Sequence, residues 1–178
     1  MSKILESEDY NEPRCLLCMD DEKDGKPKNT VPINRVIEKA DEYFSRNDYI
    51  GAEKHFLYWL SEAYSYGDLR GAFSITNELM GLYRKTGKKE EALKKIEETD
   101  DLIEKLGIAD SVSGGTAYVN QATVYKSFGM SDKAYPIFKK ALVIYERDLS
   151  EGDGRLGGLY NNMALTLTDL KEYEEAKK

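Results

Sequence analysis

From Val31 onward, apolar residues return every three or four positions and polar ones fill the gaps, which is the period of a helix with one buried face. Ile33, Val36, Ile37, Ala40, Tyr43 and Phe44 mark a first helix, and Pro32 fits its first turn, where a missing N–H costs nothing. Arg46-Asn47-Asp48 reads as a turn, and Ala52, Phe56, Trp59, Leu60 and Ala63 mark a second helix running back along the first. Before Val31 the period is absent. Residues 1–30 are predicted to be a mobile arm whose one apolar island is Cys15-Leu16-Leu17-Cys18-Met19.

The helical hairpin recurs. Taking the small residue early in each second helix as reference gives Ala52, Ala92, Ala134 and Ala176, at intervals of 40, 42 and 42. Nine positions earlier stand Tyr43, Tyr83, Tyr125 and Leu167; twelve earlier stand Ala40, Met80, Ala122 and Ala164. At the turn, five earlier, stand Asn47, Gly87, Gly129 and Lys171. Four later stand Phe56, Ile96 and Phe138. Small residues allow two helices to approach closely while an aromatic ring fills the space beside them, so the pattern predicts an all-α chain of packed pairs. The predicted organisation is an arm over 1–30 and a repeat domain over 31–178, with repeats at 33–72, 73–114, 115–156 and a shortened 157–178. Asp68, Asp110, Asp153 and Ser131 are expected N-caps. Pro136 should distort its helix slightly without breaking it.

Leu79-x-x-x-Tyr83-x-x-x-Gly87-x-x-x-x-Ala92 and Ala122-x-x-Tyr125-x-x-x-Gly129-x-x-x-x-Ala134-x-x-x-Phe138-x-x-Ala141 resemble the helix-pair signature of the tetratricopeptide repeat. A period near 42, with Asn161-Asn162-Met163-Ala164 in a first helix and Ala134-x-Pro136-x-Phe138 in a second, is similar to the kinesin-light-chain type and to the peptide-sensing regulators of Gram-positive bacteria. Val36, Thr76, Tyr118 and Tyr160 stand where the usual repeat has Trp, and Asn47 where Gly is common. The resemblance implies an α-solenoid of about 3.5 repeats, a right-handed superhelix with the first helix of each pair lining a concave face.

On that face the best ligand contacts are Asn77, Arg84, Asn120, Lys126, Asn161 and Asn162. An amide both donates and accepts, so a ladder of Asn suits the backbone of an extended peptide, while Arg and Lys favour an acidic group. For Asn120 and Asn162 a bond to the neighbouring helix pair is an equal alternative. Cys15 and Cys18 have half a zinc spacing, but zinc needs four ligands and no second Cys pair exists. His55, the only histidine, stands within a helix pattern without a nucleophile or carboxylate motif. No cofactor and no enzyme activity are implied.

A net charge of −7 with scattered Lys and Arg argues against nucleic acid as partner. No apolar run reaches the roughly 20 residues of a membrane span, and the N-terminus has no signal-peptide core, so a cytoplasmic setting is expected. The expected function is a scaffold binding a protein or peptide segment, the alternative a sensor domain answering a small signalling peptide. The fourth pair, stopping at Ala176-Lys177-Lys178, would leave Leu159, Tyr160, Met163, Leu167 and Tyr173 partly uncovered. Either a longer parent protein covers them, or two copies form a homodimer through this end.

Overall fold

A computed structural model describes residues 30–176; the arm, including Cys15 and Cys18, lies outside the described residues. Those residues form α1 (Ile33–Ser45), α2 (Tyr49–Tyr66), α3 (Leu69–Lys85), α4 (Lys89–Leu106), α5 (Val112–Ser127), α6 (Ser131–Asp148) and α7 (Gly154–Ala176). The first six pack as consecutive antiparallel pairs, and α7 packs on α6. Each odd-numbered helix also meets the next odd-numbered one, α1 on α3, α3 on α5 and α5 on α7, so the chain is a helical-repeat-like array.

The turns within the pairs share one backbone conformation at matching positions. Asn47, Gly87 and Gly129 all adopt the left-handed conformation, with φ of 57°, 72° and 74°. A side chain there crowds the backbone, which is why two of the three are glycine and the third is Asn, the residue that best tolerates this region. The fourth position breaks the pattern. The turn expected at Lys171 is absent, and α7 continues to Ala176. Lys is a good helix former, so nothing local ends the helix there. Gly67 and Gly107, which also take positive φ, end α2 and α4.

Asp68 caps α3 as expected, accepting from the Gly71 amide at 2.8 Å, and its other oxygen accepts from Val31 N at 2.9 Å, fastening the start of α1 to α3. Asp48 caps α2 in the same way through Gly51. Asp110 is not the cap of α5. The turn after Gly107 delivers Ser111 to that place, where its hydroxyl accepts from Gly114 N at 3.2 Å. Ser131 is likewise inside α6, with Met130 at the cap position, and its hydroxyl reaches Asp169 of α7 at 3.2 Å. Asp153 accepts from the backbone N–H of Arg155 at 3.0 Å at the start of α7. Pro136 lies within an unbroken α6.

The core follows the register closely. Ala40, Ala52, Ala92, Ala122 and Ala134 are fully buried, and Phe56, Ile96 and Phe138 are buried beside them. Gly115 lies so close to α6 that an added Cβ would stand 2.9 Å from the Tyr145 ring. Polar links join successive pairs: Lys88 to Glu53 at 2.6 Å, Tyr64 to Glu98 at 2.5 Å and Gln121 to Asp100 at 2.8 Å.

Candidate functional site

The candidate residues sit on α3, α5 and α7, three odd-numbered helices that touch in sequence. A shift of 42 carries Arg84 onto Lys126 and Asn120 onto Asn162, and a double shift carries Asn77 onto Asn161. The amides therefore occupy two neighbouring columns rather than one. Where the columns meet, Asn120 Nδ2 donates to Asn77 Oδ1 at 3.3 Å, an amide contact between α3 and α5.

Asn77 and Asn120 are both buried, and Asn77 Nδ2 donates back to the Phe73 carbonyl of its own helix at 2.9 Å. A buried amide without partners would cost roughly 1 to 3 kcal/mol, and these bonds remove much of that cost. Of the two readings open for Asn120, the bond to the neighbouring pair is therefore realised. Asn161 is exposed, and Asn162 is half-buried with its carbonyl accepting from Thr166 Oγ1 at 2.7 Å. Arg84 and Lys126 are half-buried in the last turns of α3 and α5, where the helix dipole favours a cation.

Hydroxyl residues line the same helices. Ser74, Thr116 and Thr123 each donate to the carbonyl four residues earlier, at 3.2, 3.0 and 2.8 Å. Ser and Thr do this in many helices, so these bonds belong to helix geometry; the register places Thr123 beside Asn120 and Lys126 on the candidate face. Thr116 also shares a 2.8 Å hydrogen bond with the Tyr145 hydroxyl, tying α5 to α6. Burial pushes the Tyr145 phenol above its ordinary value, with the Thr116 bond and Arg155 acting the other way.

His55 is held against the Val36 carbonyl at 2.9 Å with its ring tilted against Tyr43, a packed position between α1 and α2. Trp59, Tyr58 and Phe56 divide: Phe56 is core, Trp59 is partly buried against it, and Tyr58 is exposed with its ring edge-on to Trp59. Among the described residues no group of three or more His, Cys, Asp or Glu is placed to hold a metal ion. Nor is any described helix long and apolar enough to cross a membrane. No family model and no curated protein sequence matches this chain.

Proposed function

We propose that the array is a tetratricopeptide-like solenoid whose odd-numbered helices form a groove for an extended protein or peptide segment carrying an acidic group. The observation that carries this reading is the Asn120–Asn77 contact at 3.3 Å, which joins α3 and α5 edge to edge and leaves Arg84 and Lys126 repeated one pair apart along the seam. The two buried amides serve as groove floor. Ligand contact falls to the more accessible Asn161, Arg84 and Lys126, an amide for backbone and two cations for carboxylates.

Random peptides displayed on phage and selected on the immobilised protein test the reading, with selected sequences remeasured by calorimetry. Acidic sequences should be enriched, and Arg84→Ala/Lys126→Ala/Asn161→Ala should weaken them by about tenfold or more, since each lost charge-assisted contact is worth roughly 1.5 to 3 kcal/mol. Selected peptides that bind the triple variant as tightly as the parent would place the binding surface elsewhere.

A further inference from the structure

The face of α5 that receives α6 carries Gly115, Tyr118, Ala122 and Tyr125. Tyr145 of α6 lies against Gly115, Lys140 over the Tyr118 ring at 3.9 Å and Lys133 over the Tyr125 ring at 5.8 Å. Shifted by 42 residues, the same face of α7 carries Gly157, Tyr160, Ala164 and Leu167. There it is uncovered. Tyr118 is 4% exposed, but its counterpart Tyr160 is 48% exposed and Leu167 is 38% exposed. Ala164 is exposed where Ala122 is fully buried, and a Cβ on Gly157 would meet nothing within 4 Å.

The uncovered face keeps the size pattern of the α5 face and adds opposite charges at its two ends, Asp153 and Lys171 standing where α5 has Ser111 and Gly129. Asp153, Gly157, Tyr160, Ala164, Leu167 and Lys171 follow one another at steps of 4, 3, 4, 3 and 4, which is the same series read from either end. Steps of three and four keep the last five on one stripe of α7, with Asp153 just before its first turn, the seam of an antiparallel pair. Laid antiparallel on a copy of itself, the stripe sets Gly157 opposite Leu167, Tyr160 opposite Ala164 and Asp153 opposite Lys171. Each large side chain then meets a small one, and each charge its opposite.

We infer that α7 is a self-association surface: two copies pair their α7 helices antiparallel about a two-fold axis at the level of Asn162. A two-fold interface requires a patch complementary to itself, and alternating sizes and opposite terminal charges supply this. Parallel pairing of the same stripe would set Tyr160 on Tyr160 and Lys171 on Lys171, large on large and like on like. Tyr160 is already oriented by its hydroxyl, which donates to Glu146 at 2.9 Å, and the Asp153 carboxylate keeps its Arg155 partner at 2.6 Å while facing the second copy's Lys171. The dimer leaves the proposed groove contacts Arg84 on α3 and Lys126 on α5 untouched, while Asn161 neighbours Tyr160 on the pairing helix.

Sedimentation equilibrium of the 178-residue chain over a range up to about 200 µM, with helicity checked by circular dichroism, tests the pairing. The parent should show a concentration-dependent dimer. Ala164→Tyr sets two rings against each other and should weaken it at least about tenfold, whereas Tyr160→Ala/Ala164→Tyr exchanges large for small and should recover most of the affinity. Leu167→Glu should also dissociate the dimer. All these positions are exposed, so the variants are expected to keep the parent helicity. A chain that remains monomeric throughout, or a dimer that persists in Ala164→Tyr and Leu167→Glu, overturns the inference. So does a double variant no stronger than Ala164→Tyr.

Discussion

Two aromatic residues at repeated positions separate packing from partial exposure. Phe138 is fully buried between α5 and α6, whereas Tyr125, nine residues before the reference Ala134, is only half-buried with Lys133 over its ring. Phe138→Ala should cost roughly 3 to 5 kcal/mol, and Tyr125→Ala distinctly less, because fewer of its contacts are removed from water. The difference in urea midpoints between the two variants checks this. The spacing placed both rings at the interface between paired helices; the depth of each depends on which neighbours close over it. The candidate amides follow the same rule. Asn77 and Asn120 were visible as polar residues at helical spacing, but their mutual bond arises from the crossing of α3 and α5, which no local pattern encodes.

At the scale of elements, a turn forms where the residue tolerates positive φ. Asn47, Gly87 and Gly129 do so, and the helices stop there; Lys171 does not, and α7 runs on. Gly129→Ala should therefore lower stability by about 1 to 2 kcal/mol in chemical denaturation, the cost of holding an L side chain in the left-handed region. No contact is lost, since the space around the Cβ site is empty. An unchanged midpoint would mean that α5 and α6 are joined by a different backbone turn. The same comparison explains the misplaced caps. Asp110 and Ser131 have the right chemistry for a helix start, yet the preceding turns deliver Ser111 and Met130 to the cap positions. Capping residues are recognised by type, while one residue of turn length moves the boundary.

Across the whole molecule, successive pairs are joined partly through phenol–carboxylate contacts. Tyr64 donates to Glu98 of α4, and Tyr83 faces Glu53 of α2. Burial first, and then these carboxylates, push both phenols well above their ordinary value near 10. In the unfolded chain they ionise near that value, whereas the folded chain keeps them protonated. Above about pH 10 the folded state thus binds more protons than the unfolded one, and stability falls as pH rises. The contribution is fully present below pH 10 and is lost upward from there. Urea midpoints followed from about pH 8 to 11 should show this decline, and Tyr83→Phe, which has no proton to lose, should flatten it. An equal slope in parent and variant would assign the alkaline loss to other groups.

Helical period, the repeat near 42 residues, the small and aromatic positions of the core and the left-handed turns are properties of short stretches, so the amino-acid order alone determined them. Proximity between stretches was decided only in three dimensions. The packing of α3 on α5 bonded two candidate ligand amides to each other. The packing of α7 on α6 buried Leu159 to 1% exposure, against the expectation that it would be uncovered, and left Tyr160 and Leu167 open as expected; Met163 is half-buried. Leu159 and Leu167 are alike in type and helical setting, and only the direction from which α6 approaches makes one core and the other surface.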